Sequence, residues 1–287
     1  MIISASRRTD IPAFFGKWFI NRLLDGEVKV RNPFNKNQVN IVSLKPEDID
    51  CIVFWTKNPE NFIQYLTQIN DLEISYYFLF TLNYYGNDYE VNLPDKNKLI
   101  LTFKRLSLLL GKRNVIWRYD PIIIDNNYSN NFHLEHFEKL CKELENYTDN
   151  CITSFLFMYN KCKRNLSNYN ITALNKAEQS NLLYKMNKIA IKYHIQLSIC
   201  ASEYNFEEIG VKPAKCIDAN LIQQFTGKEI KTVKDNNQRL NCNCSKSIDI
   251  GAYNTCKHLC RYCYANYSYE KVYQNFKYIN NNSPFLL

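Results

Sequence analysis

Nowhere does the chain approach the run of about 18 apolar residues that a membrane-spanning helix needs. The opening residues, MIISASRRTDIPAFF, reach charge after only a few apolar positions, which excludes a secretory signal there and makes the cytosol the expected location. Lysine and arginine never form a block of five or more, so no basic tail concentrates charge for a partner. Glycine is scarce, with 7 in 287 residues, and neither a Gly/Ser linker nor a repeat of fixed period divides the chain. What is there suits one large α/β barrel or two ordinary domains. Hydrophobic residues make up 46% and charged ones 22%, which excludes a mostly disordered or collagen-like polypeptide. The net charge of +8 admits an acidic or nucleic-acid partner and equally a solvated basic surface. The 11 cysteines, in a reducing compartment, are ligands, catalysts or small core residues rather than disulfides.

Short apolar, β-rich runs alternate with helical patterns, the mark of βα units around a parallel sheet. The runs are Ile2–Ala5, Cys51–Trp55, Tyr76–Leu82, Val115–Tyr119, Cys151–Met158 and Ile195–Ala201. Helices are expected over about 14–25, 59–70, 95–111, 131–146 and 173–194. In the third, Leu99, Ile100, Phe103, Leu106 and Leu110 fall on one stripe, opened by Pro94-Asp95 and closed by Gly111. Val28–Leu44 breaks the rhythm and reads as a β-hairpin inserted before the second core strand. The expected fold is therefore a TIM-like β/α barrel, complete or partial, over residues 1–227. A polar seam from about Lys228 to Leu240 leads into a Cys-rich segment, 228–287, that packs into or completes the barrel.

Ligands of parallel βα arrays bind at the carboxyl ends of the strands. The residues there are Ser6–Asp10, Thr56–Asn58, Thr81–Tyr85, Arg118–Asp120, Tyr159–Lys161 and Ser202-Glu203. Arg7 and Arg8 suit a carboxylate or phosphate, against a reading as surface ion pairs. Arg118 and Asp120 bracket Tyr119, so strand alternation points both one way, as a mutual ion pair, with Pro121 ending the strand. Glu203 suits an amino group or a ribose, or caps the next helix.

The sharpest signal is Cys256-Lys257-His258-Leu259-Cys260-Arg261-Tyr262-Cys263. Three thiolates spaced this way in one loop can reach three irons of a cubane and leave the fourth without a protein ligand. The loop follows a β-like run, Ile248–Tyr253, and precedes a helix-like tail from about Ala265 to Ile279. His258 within it is a loop side chain or, with the cysteines, a zinc ligand. Cys200, Cys216, Cys242 and Cys244 suit a second cluster or a structural zinc, or else are small buried hydrophobes and exposed thiols. Cys51, Cys141, Cys151 and Cys162 lack close partners and read as core.

ISASRRTDIPAF (Ile3–Phe14), VFWTKNP (Val53–Pro59), VIWRYDPI (Val115–Ile122) and the Cys-rich Lys234–Asn266 make the chain resemble the bacterial domain of unknown function family 1848, over essentially its whole length. That family is similar to radical S-adenosylmethionine (SAM) enzymes, which share the Cys-x3-Cys-x2-Cys loop and often an aromatic residue, here Tyr262, before its last Cys. It is sometimes linked to spore photoproduct lyase and DNA-repair photolyases. The resemblance implies a 4Fe-4S cluster on Cys256, Cys260 and Cys263, SAM on its open iron, and reductive cleavage to a 5′-deoxyadenosyl radical. It also implies a cellular reductant such as a ferredoxin or flavodoxin, and a substrate among which nucleic acids and nucleotides are candidates. Arg7, Arg8, Lys57, Asn83, Arg118, Asp120 and Glu203 become candidate contacts to SAM or substrate. Radical SAM enzymes usually carry the loop after the first barrel strand; here it comes near the end, which implies either a circularly permuted barrel or a barrel with an appended cluster segment. The usual Gly-Gly-Glu is missing. The rival reading is a zinc- or cluster-stabilised nucleic-acid-binding protein without radical chemistry, or a cluster closed by Cys242 or Cys244 that only relays electrons.

Overall fold

The computed structural model describes every residue except Lys36. In chain order it runs β1 (Ile2–Ala5), α1 (Ile11–Phe14), α2 (Gly16–Asp25), β2 (Glu27–Arg31), β3 (Val39–Ser43) and β4 (Cys51–Thr56). A 3-10 turn, Glu60–Tyr65, enters α3 (Leu66–Asn70), then come β5 (Tyr76–Thr81), α4 (Lys96–Leu110), β6 (Val115–Ile122), α5 (Asn130–Leu144) and β7 (Asn150–Phe155). The chain continues through α6 (Asn160–Asn165), α7 (Lys176–Lys192), β8 (Gln196–Ile199), β9 (Lys212–Pro213), α8 (Ala219–Thr226), β10 (Ile248–Asp249) and α9 (Tyr269–Phe276).

Eight strands form one parallel sheet in the order β10-β1-β4-β5-β6-β7-β8-β9, while β2 and β3 make the expected antiparallel hairpin. The sheet is a row with β10 and β9 at its edges; the barrel expected from the βα rhythm is present as an α/β array without closure. The expected helix over 59–70 divides into the 3-10 turn and the short α3. Pro121 does not end its strand: β6 continues to Ile122 with a register shift after Tyr119. The helix α4 is capped as its sequence predicts, with the Asp95 side chain accepting from Asn97 N–H at 2.8 Å and Gly111 at φ 85° beyond its end.

Side chains alternate across the sheet. Ile3, Ile52, Phe54, Phe78, Phe80 and Trp117 face the core shared with the helices, and Ile2, Cys51, Val53, Tyr77, Leu79 and Ile116 face the other way. That second face is covered by Ala214, Ile217, Ile222, Cys242 and Cys244. The polar stretch after Lys228 is thus more than a seam: Asp235 in it is buried, and Gln238 and Arg239 line the main cavity. The segment beyond it contributes β10, which pairs with β1 in the register Ile3↔Ile248 and Ser4↔Asp249. Farther on, Ser283 O accepts from Trp18 Nε1 at 3.0 Å and Pro284 O from Lys29 N at 2.8 Å, fastening the tail to α2 and β2. Among the described residues no helix is long and apolar enough to cross a membrane.

Candidate functional site

Asp249, the last residue of β10, joins the carboxyl ends of β10 and β1. Its carboxylate accepts from Ser4 Oγ at 2.8 Å, Ser6 Oγ at 2.8 Å, Arg7 N at 2.7 Å and Gly251 N at 3.0 Å. This packs Gly251 so closely on the β1 loop that a Cβ there would sit 2.0 Å from Ser6 Oγ. Only glycine admits that approach. The cysteine loop follows. Leu259 takes a left-handed turn at φ 55°, Ala265 N–H donates to Cys263 Sγ at 3.3 Å, and Asn266 Nδ2 donates to Cys256 O at 2.8 Å.

Cys256, Cys260 and Cys263 all line a cavity of about 240 Å³ at the carboxyl ends of β1, β4, β5, β6 and β7. Arg7, Lys57, Arg118 and Asp120 line it as well, so the structure brings together four of the seven candidate contacts to SAM or substrate. Burial pushes the loop thiols up, Cys260 to about 12, while Lys57 acts in the opposite direction on Cys260 and Cys263. Among the described residues no group of three or more His, Cys, Asp or Glu side chains is set to hold a metal ion as it stands.

Behind the loop lies a buried network that sequence reasoning missed in part. Lys57 Nζ donates to Glu90 Oε1 at 2.7 Å and to Tyr262 Oη at 2.9 Å, and Lys96 binds the other Glu90 oxygen. Burial alone would raise the Glu90 carboxyl, but Lys57 and Lys96 overcome it and hold it at about 2. Asn83 is buried beside this network, donating to Asp120 O at 2.9 Å and accepting from Asp120 N at 2.8 Å; it braces the site. Glu90 lies in a loop with no motif around it, and only the fold brings it to Lys57. Asp10 was expected at a strand end, but its partners were missed: its Oδ2 accepts from Lys57 N at 2.7 Å and meets His258 Nε2 at 2.9 Å, which ties the β1 and β4 loops to the cysteine loop.

On the opposite wall Arg118 and Asp120 form the expected pair, Nη2 to Oδ2 at 2.6 Å, while Tyr119 points away to His133. Arg7 and Arg118 both stand over the Trp55 ring, their Cζ atoms 5.2 and 4.8 Å from its centroid. Each keeps a buried donor without a partner, Arg7 Nη2 and Arg118 Nε, as do Trp55 Nε1 and Thr9 Oγ1 among the side chains at the cavity, where His258 Nδ1 is a further buried polar atom with no partner. Buried orphan donors of this kind suit an anionic or polar ligand.

Two expected contacts are elsewhere. Arg8 turns to a separate cavity of about 300 Å³, with its guanidinium near Asp249 and over Tyr253. Glu203 is exposed and does not line the main cavity. Cys200, Cys216, Cys242 and Cys244 do come together, all buried, at the same main cavity. Cys51, Cys141, Cys151 and Cys162 are buried, and Cys162 Sγ donates to Tyr262 O at 3.0 Å, supporting the cysteine loop from beneath.

A family model described as a domain of unknown function (DUF1848) matches residues 2–265 of the chain. No curated protein and no solved structure matches.

Proposed function

For a chain that belongs to the DUF1848 family, we propose the activity of a radical SAM-like iron-sulfur enzyme acting on a substrate that includes nucleotides and nucleic acids among its candidates. One observation carries this reading: three cysteines of a single loop line the same strand-end cavity as Arg7, Lys57 and Arg118. The donor set fits the group, because thiolate is the ligand that iron-sulfur clusters prefer and the orphan donors around it await a polar ligand. Cys256, Cys260 and Cys263 would hold a four-iron cluster, which, reduced and with SAM bound, would supply radical chemistry for hydrogen abstraction.

The chain's own residues have four tasks. Arg7 Nη2 and Thr9 Oγ1 offer hydrogen bonds to a carboxylate or hydroxyl entering beside the loop. Arg118, fixed by Asp120 and stacked on Trp55, holds positive charge at the far wall to orient an anionic portion of the substrate. Lys57, anchored by Glu90, keeps its charge beside Cys260, which favours the thiolate. Trp55, Phe155 and Leu156 keep the cavity apolar between these groups and exclude water from a reactive intermediate. The place of β10 beside β1, with the cysteine loop directly after it, supports a permuted order of the radical SAM array. An external reductant of the ferredoxin or flavodoxin class completes the reaction.

The test is anaerobic reconstitution with iron and sulfide, reduction, addition of SAM and quantification of 5′-deoxyadenosine against the Cys263→Ala protein. Formation that depends on Cys263 is expected. A stable reduced cluster that neither binds nor cleaves SAM overturns the reading.

A further inference from the structure

The four remaining cavity cysteines form a ring. Cys200 and Cys216 Sγ lie 3.6 Å apart. Cys242 lies near Cys200, Cys244 lies near Cys216, and Cys242 and Cys244 lie near each other, all four buried in one cluster at the cavity floor. These residues come from three separated places: the end of β8, the turn after β9, and the stretch that crosses the second face of the sheet.

We propose that Cys200, Cys216, Cys242 and Cys244 form a closed, mononuclear tetrathiolate site for a soft divalent ion of the zinc class. At a zinc–sulfur length of about 2.3 Å, a regular tetrahedron has sulfur–sulfur edges of about 3.8 Å, close to the contact the ring already makes. An iron-sulfur cluster interposes bridging sulfides, so thiolates on different irons are held apart by its width; the 3.6 Å between Cys200 and Cys216 Sγ is the spacing of thiolates that share one ion. As it stands the ring has the Cys200–Cys216 thiol contact and is not yet a coordination sphere. Binding replaces that contact: the ion takes four thiolates, four protons leave to solvent, and no electron moves.

The surroundings complete the chemistry. A divalent ion with four thiolates carries a net charge of −2, and Arg7 and Arg118, the two cavity guanidiniums that keep an unpartnered buried donor, are the cations beside this ring. Ile217 N–H already donates to Cys244 Sγ at 3.5 Å, and Tyr77 Oη donates to the Cys216 carbonyl at 2.7 Å; such bonds orient ligands from behind. All four thiols are closed off by protein on every side except the cavity, as suits a structural ion with no exchangeable position. The ion would fasten the crossing segment to the edge of the sheet, as the floor of the main cavity.

The test is independent of what the other loop holds. The full chain carrying Cys256→Ala, Cys260→Ala and Cys263→Ala is purified and exposed to cobalt(II) alone, then dialysed. About one cobalt is expected to stay bound, with the visible ligand-field bands and thiolate charge transfer of a tetrahedral four-sulfur site, and zinc should bleach them. In the unsubstituted chain, zinc should protect these four cysteines from alkylation, as mapped by mass spectrometry. That reading needs no variant at the ring itself. Cobalt lost on dialysis, a spectrum with fewer thiolates, or iron with labile sulfide on these four residues would overturn the assignment.

Discussion

Glu90 and Lys57 are bonded at 2.7 Å with the carboxylate almost wholly buried, so the charge on each is what makes the other tolerable inside the protein. Removing one partner of such a pair typically costs about 3 kcal/mol or more, because the other charge is left uncompensated. Glu90→Gln should therefore lower stability by about that amount at neutral pH, read as a shift in the urea midpoint.

The pH dependence of that difference follows from its sign. The folded Glu90 carboxyl is held at about 2 against an ordinary value of 4.5, so its contribution is complete above the ordinary value and is lost as pH falls toward the folded one. The gap in stability between the unsubstituted protein and Glu90→Gln should be constant from neutral pH to about 5 and close progressively below that. A gap that stays constant into the acid range would mean that Glu90 acts through packing and not through charge.

At Gly251, any side chain meets Ser6, whose Oγ would lie 2.0 Å away and Cβ 2.6 Å away. Gly251→Ala should destabilise by about 2 kcal/mol, in the range of overpacked core sites. Ser6→Gly removes both obstructing atoms, so the double variant should be clearly more stable than the sum of the single effects requires. Additive losses in that cycle would locate the strain elsewhere.

Asp249→Ala removes the acceptor shared by Ser4, Ser6, Arg7 and Gly251, and with it much of what holds the two-residue β10 to the sheet. Amide exchange should quicken at Ile250, whose N–H donates to Ser4 O at 3.1 Å, and at Arg7, with little change in the β4–β5 ladder. Uniform acceleration across the sheet would show global destabilisation instead of a loosened edge.

The parts legible in the sequence are those written in local periodicity. The stripe of Leu99, Phe103 and Leu106, the alternation through Arg118 and Asp120, and the hairpin flanking PFNKN each follow from near-neighbour geometry, and each is found in the structure. The cysteine triplet was legible for the same reason, since a single short loop carries all of it. Sheet order was legible at one edge only: the β-like run Ile248–Tyr253 marks β10, which a permuted order sets beside β1, whereas β9 at the other edge has two residues, too few for any pattern. Arg7 and Arg8 show how proximity in sequence misleads, because the chain bends just after β1 and these two neighbours enter different cavities. The pairings of Glu90 and Asp10 were hidden by distance along the chain, since their partners Lys57 and His258 lie 33 and 248 positions away.

The place of β10 outside β1 also sets an order of assembly. β1 precedes the rest of the sheet along the chain, yet its outer neighbour, its Asp249 clamp and the cysteine loop are translated only after nearly all the other strands. The cavity draws its walls from Ser6 through Ala265, so a nascent chain that has not reached that point can fold much of its sheet around Phe54 and Phe78 while the site is still incomplete. Translation thus completes the cavity only after the scaffold that must contain it has been made.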